Sequence, residues 1–166
     1  MSKEQTPHIA VDPQDLRTVR DWVRFFVSEM RRGQVFFGHG SSNAFDEAIY
    51  LVQSALNLPI GDLGPFWDAR VTAHETTRLV RFITQRVVDR KPASYITGEA
   101  WLQGQSFKVD ERVIIPRSFI AELLADQLTP WVNAPEMPFD ILDMCTGSGC
   151  LAILAAHVFE NAEVDA

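Results

Sequence analysis

Cysteine is almost absent from the 166 residues: only Cys145 and Cys150 occur, both beside glycines. Their spacing fits neither a disulfide framework nor a zinc pattern, so no structural metal is expected, and a reducing cytoplasmic compartment is the expected setting. Long apolar runs are absent too. None approaches the ~20 residues that span a bilayer, and residues 1–15 have no apolar segment of the kind that opens a secretory signal. No membrane partner is therefore expected. Basic residues are scarce: 15 Lys and Arg stand against 22 Asp and Glu, for a formal net charge of -7. That balance argues against direct nucleic-acid binding, which needs cations to neutralise phosphates. It suits the steering of a basic protein partner.

What is present is a globular composition, 46% hydrophobic with 11 Phe and 4 Trp, enough for one domain or two small ones. Trp22, Trp67, Trp101 and Trp131 are assigned to packing, because large aromatics bury the most area. Asp12-Pro13 reads as the opening of a first helix, an N-cap acid with proline behind it. Leu16, Val19, Val23, Phe26, Val27 and Met30 then follow helical spacing, and Gly33 provides a stop. A second helix is predicted from Asn43, with Asp46 and Glu47 at its positive end and Ala48, Ile49, Val52, Ala55 and Leu56 on its buried side. Residues 61–70 read as an ordered loop. Thr72-Ala73-His74-Glu75 is a capping box for a third helix, whose apolar face is Leu79, Val80, Ile83 and Val87.

After Pro92 the period changes. Residues 101–109 suggest two short strands around a turn at Gly104, and Val113-Ile114-Ile115-Pro116-Arg117 is a further extended piece. Ser118 is placed to cap a helix carrying Ile120, Leu123, Leu124 and Leu128. A short strand over residues 139–144 runs into the glycine loop Cys145-Thr146-Gly147-Ser148-Gly149, an apolar helix over residues 151–159, and the start of a second strand at residues 162–166. Two strands would leave most of an α/β core exposed. The chain is therefore expected to be a fragment, or to depend on a partner for the rest of its sheet.

The loop carries the chemistry. A strand ending in an acid, then a tight glycine turn, then a helix start makes a ligand crevice at the carboxyl edge of a sheet. Gly147 and Gly149 permit positive φ and remove Cβ atoms where a ligand approaches the backbone. Free N–H groups at the helix start favour a carboxylate or phosphate. Asp143 is placed either to meet an ammonium or to pin the loop. Taken alone, the loop admits a methyl donor, a dinucleotide (Gly147 to Ala152 satisfies G-x-G-x-x-A), or a glycine-rich turn without a ligand. Dinucleotide loops usually place the first glycine immediately after the strand, whereas here Asp143, Met144, Cys145 and Thr146 intervene, which favours the methyl donor, whose methionine end has both a carboxylate and an amine.

Read together, several segments resemble one family. Asp143-Met144-Cys145-Thr146-Gly147-Ser148-Gly149-Cys150 is similar to the cofactor loop of the protein glutamine N5-methyltransferases. Pro92-Ala93-Ser94-Tyr95-Ile96-Thr97-Gly98 resembles that family's interdomain connection, and Phe107-Lys108-Val109 with Val113-Ile114-Ile115-Pro116-Arg117 resembles its hairpin and Pro-Arg segment. Cys145, the segment Pro116-Arg117-Ser118-Phe119-Ile120, and the run from Phe37 to Ala48 look like the branch acting on the third large-subunit ribosomal protein. They differ from the release-factor branch. The resemblance covers the chain from about residue 15 onward.

The resemblance implies a helical, substrate-recognising domain over residues 1–92, a β-hairpin linker over 93–117, and the beginning of a Rossmann-like class I methyltransferase domain over 118–166, an α+β chain passing into α/β. It implies S-adenosyl-L-methionine as cofactor, held by Asp143, Cys145, Thr146, Gly147, Ser148 and Gly149. A ribosomal protein is the implied substrate. Arg117 is a candidate substrate or cofactor contact, or else a surface salt bridge. Cys145 is expected to contribute backbone rather than a reactive thiol, and His39 a turn rather than catalysis. The family's amide-holding Asn-Pro-Pro-Tyr does not occur in these residues, so no catalytic residue is expected in this chain. An amide nitrogen is a poor nucleophile, and the missing motif is what would hold it in line with the methyl group.

Overall fold

Backbone pairing between distant segments decides where the first helix begins. Val71 N–H donates to the Arg17 carbonyl at 2.9 Å and Val19 N–H to the Ala69 carbonyl at 3.1 Å, bridging Thr18 to Arg70. That pairing holds residues 17 and 18 extended, so helix α1 runs Val19–Arg32 rather than from Asp12-Pro13. Its cap is Thr18, in a reciprocal box with Asp21. A computed structural model of the protein describes residues 9, 11–12, 15–38 and 40–166. The expectations for Pro13 and His39 lie outside the described residues.

Helix α2, Ala44–Leu56, starts as predicted: the Asn43 side chain accepts from the Phe45 and Asp46 N–H groups. Asn57 ends it in the left-handed conformation. A single 3-10 turn, Gly64–Phe66, interrupts the ordered loop. Helix α3, Ala73–Val87, has the expected Thr72–Glu75 capping box, and short helix α4, Ala93–Thr97, closes the first compact unit at Thr97. The core of this unit joins Trp22, Phe26 and Met30 of α1 to Ala48, Leu51 and Val52 of α2 and Leu79 and Ile83 of α3, all almost solvent-free. Of the other tryptophans, Trp67 packs at the edge of this core under the Arg20 guanidinium. Trp101 and Trp131 are exposed, 47% and 70%, which corrects their assignment to packing. Each sits where the chain turns outward, Trp101 on the outer face of a two-stranded hairpin and Trp131 in a run of turns.

The second unit starts at Gly98. Strands β1, Glu99–Leu102, and β2, Gln105–Lys108, pair antiparallel with Leu102 opposite Gln105. Gln103 and Gly104, both at positive φ, form the two-residue turn that the strand twist favours. Residues 113–117 join no strand, although Ile115 is buried. Helix α5, Ile120–Ala125, is shorter than expected: Gln127 and Leu128 adopt positive φ and turn the chain away. The Ser118 hydroxyl accepts from the Ile120 N–H at 3.2 Å, one residue before the formal cap. Strand β3, Asp140–Leu142, helix α6, Cys150–Val158, and strand β4, Glu163–Asp165, complete the unit. β3 and β4 are parallel, with Ile141 opposite Val164. Phe107, Ala121, Leu124, Cys150, Leu154 and Phe159 form its core, and Phe139 meets Phe159 edge-to-face at 5.2 Å. The described chain is thus a mixture of helices with two small sheets.

Candidate functional site

The loop between β3 and α6 is shaped by three left-handed residues in five positions. Asp143 N–H donates to the Asp165 carbonyl at 2.8 Å, extending the β3–β4 pairing to the mouth of the loop. Cys145 then takes φ 63, Gly147 φ 60 and Gly149 φ 76. Gly149 N–H closes a turn on the Thr146 carbonyl at 3.0 Å, and the Gly149 carbonyl accepts the Ile153 N–H at 2.9 Å to start α6. Cys145 is exposed and unpaired with another cysteine.

Two properties make this loop receptive. A Cβ at Gly147 would meet no protein atom within 4 Å, so one side of the loop is open. No side chain caps α6, which leaves its first N–H groups and positive dipole end directed at that space. The loop also holds two buried oxygens without a partner among the described residues, Asp143 Oδ2 and Thr146 Oγ1. Orphaned buried acceptors are uncommon in folded proteins and point to groups that the protein itself does not provide.

Sequence reasoning passed over the segment that faces the loop. A cavity of about 440 Å³ is lined by Lys108, Val109, Asp110, Arg112, Val113 and Ser148. Asp110 and Arg112 form a fixed pair: Nε lies 2.9 Å from Oδ1, Nη2 lies 2.6 Å from Oδ2, and the Arg112 N–H donates to Oδ1 at 3.0 Å. The Arg112 guanidinium holds the Asp110 carboxyl down to about 2, and Asp110 in turn raises the Arg112 value. The readable signal was Asp-x-Arg after a strand, an acid that folds back on the N–H two residues on. Ser148 is the one predicted site residue on this cavity wall. Arg117 is exposed and is not among the residues that line the cavity.

Among the described residues no helix is long and apolar enough to cross a membrane, and no group of three or more His, Cys, Asp or Glu is arranged to hold a metal. No family profile matches the chain. A glycine loop between a parallel strand and a helix, with open space above it, is the kind of crevice in which α/β proteins bind small ligands. Curated relatives add to the comparison. The chain is 53% identical over 158 residues to a ribosomal protein uL3 glutamine methyltransferase of Burkholderia pseudomallei, covering 95% of this chain and 52% of the relative. It is 56% identical over 153 residues to the protein of that name in Bordetella pertussis, covering 92% and 51%. The relative in Francisella tularensis is 43% identical over 150 residues, covering 90% and 48%. The curated relatives that match more than nine-tenths of this chain are named ribosomal protein uL3 glutamine methyltransferases, and the chain spans about half the length of the curated relatives it matches.

Proposed function

We propose that the complete protein methylates the side-chain amide of a glutamine in ribosomal protein uL3, with S-adenosyl-L-methionine as methyl donor. The single observation that carries this reading is 53–56% identity to relatives of that name across more than nine-tenths of the chain. The loop fits the donor. Asp143, Cys145, Thr146, Gly147, Ser148 and Gly149 would hold it, with open space over Gly147, uncapped α6 N–H groups, and orphaned oxygens on Asp143 and Thr146. When bound, the donor supplies an electrophilic sulfonium methyl group. The chain's own residues bind and orient it, while the groups that hold the amide belong to the rest of the protein.

The reading includes a Rossmann-like methyltransferase domain that continues the β3–α6–β4 unit. Leu142, Met144 and Ile153 are exposed by 66%, 72% and 42%, and this apolar exposure, which further sheet and helix would cover, supports the reading. In the same reading the helical unit selects the protein substrate, residues 93–117 join it to the methyltransferase domain, and the enzyme works in the cytoplasm without contacting nucleic acid directly. The test is mass spectrometry of uL3 and of a peptide-chain release factor after incubation with full-length enzyme and donor. Faster modification of uL3 is expected. Faster modification of the release factor, or donor-independent binding of a nicotinamide dinucleotide in place of the donor, would refute the assignment.

A further inference from the structure

The helical unit escapes the acidic excess of the chain: residues 1–97 hold twelve Lys and Arg against eleven Asp and Glu. Arg20, Val23, Arg24 and Val27 follow one another along α1 at spacings of three and four, which place them on one side. With Phe45 of α2 and Trp67 they line a cavity of about 380 Å³, inside the ~300–1,000 Å³ range of ligand pockets. Arg20 N–H donates to the Trp67 carbonyl at 3.0 Å, which ties the loop carrying Trp67 to the start of α1. The Arg20 guanidinium also lies 5.3 Å from the centroid of the Trp67 ring.

No acid lines this cavity. Asp21 is taken up by the Thr18 hydroxyl and N–H, and Asp68 meets Arg20 Nε at 3.3 Å from outside the wall. Arg24 lowers Asp21 through space but forms no ion pair with a described residue. Like charges four residues apart on a helix repel, and an anion between them relieves the repulsion. The rest of the wall is apolar, with Phe45 51% exposed. Aromatic and arginine side chains together are the usual centre of a protein interface. We infer that this cavity docks a segment of the protein substrate in which an aromatic side chain adjoins carboxylates. The ring packs on Phe45 and Trp67, and the carboxylates meet Arg20 and Arg24. A basic segment would set like charges against both guanidiniums. Single-stranded RNA would find rings to stack on but only two cations, in a chain of net charge -7. The inference rests on the reading that the helical unit selects the substrate, and it adds the place and the chemistry.

Titration of the full-length protein with two tripeptide amides, acetyl-Glu-Phe-Glu and acetyl-Lys-Phe-Lys, tests it. The Trp67 indole N–H is followed by NMR and assigned with Trp67→Phe. The acidic peptide should bind about fivefold tighter or more, and Arg24→Gln should weaken it about three- to fivefold, the upper range for an exposed charge pair. Phe45→Ala should weaken it too, whereas Arg24→Lys should keep most of the affinity. In methylation assays Arg24→Glu should raise the KM for uL3 and leave kcat and the donor's KM within about twofold, as expected when only docking is lost. Equal affinity for the two peptides, or undiminished binding by Arg24→Gln and Phe45→Ala, would overturn the inference. So would displacement of the acidic peptide by oligouridylate, or an unchanged KM for uL3 in Arg24→Glu. Failure of the unaltered protein to methylate uL3, beside intact discrimination between the peptides, would refute the methyltransferase reading and leave the preference of the cavity standing.

Discussion

The Arg86 guanidinium and the Glu47 carboxylate meet inside the helical unit with Nε 2.5 Å from Oε1, both side chains at least nine-tenths buried. Arg86 also donates through Nη2 to the Phe36 carbonyl at 2.8 Å, so one side chain of α3 joins α2 to the segment that follows α1. The charge pair is satisfied on both sides, and each partner depends on the other to remain inside.

Removing one partner should therefore be costly. Arg86→Met leaves a buried carboxylate and an unpaired Phe36 carbonyl, and a loss of roughly 3–5 kcal/mol in chemical denaturation is expected. Glu47→Leu combined with Arg86→Met should cost clearly less than the two single changes added together, because no lone charge remains. Additive losses would show that the two groups do not depend on each other.

The cap of α1 predicts an acid-sensitive contribution. The Thr18 hydroxyl and backbone N–H both donate to Asp21, and these contacts lower its carboxyl from 3.8. A lowered folded value means that the stabilisation is fully present above 3.8 and is lost as pH falls through the folded value. Asp21→Asn should therefore be less stable than the unaltered protein near neutrality, with the gap closing as pH drops below that point. Thr18→Ala should cost about 1 kcal/mol at neutral pH. A stability gap for Asp21→Asn that stays constant through the acid range would contradict the assignment.

Glycine substitutions in the loop should separate stability from ligand binding. With no atom near a Cβ at Gly147, Gly147→Ala meets only the strain of positive φ, on the order of 1–2 kcal/mol. Gly149→Val adds a branched side chain beside Thr146 Oγ1 and the Ile153 side chain. In the full-length protein both should lose donor affinity by more than their thermal destabilisation accounts for. Undiminished affinity of Gly149→Val, measured by calorimetry, would remove the loop from the binding site.

The 166 residues tested alone should transfer no methyl group to uL3. They lack the amide-holding tetrapeptide, and positioning of that kind is worth roughly 7–11 kcal/mol of barrier. Incubation of the purified chain with labelled donor and uL3 decides it: label on uL3 above background would show that these residues contain the catalytic groups after all.

Features whose partners lie within four residues were legible in the sequence. The Thr72–Glu75 box, the Asn43 cap, the hairpin turn at Gly104 and the glycine loop each depend on local hydrogen bonds or on a φ that only certain residues adopt readily. The tertiary structure decided what depends on distant partners. Pairing of Arg17 and Val19 with residues some fifty positions away delays α1 beyond Asp12-Pro13. Glu47, read as an acid favouring a helix start, is withdrawn from solvent because Arg86 reaches it from α3. Trp101 and Trp131 are outside because the elements carrying them offer no second layer to cover them. The sequence determined the glycine loop and its open backbone, whereas Lys108, Asp110 and Arg112 share a cavity wall with Ser148 only through the tertiary fold. Periodicity and short motifs report contacts along the chain, and a cavity is made by contacts across it.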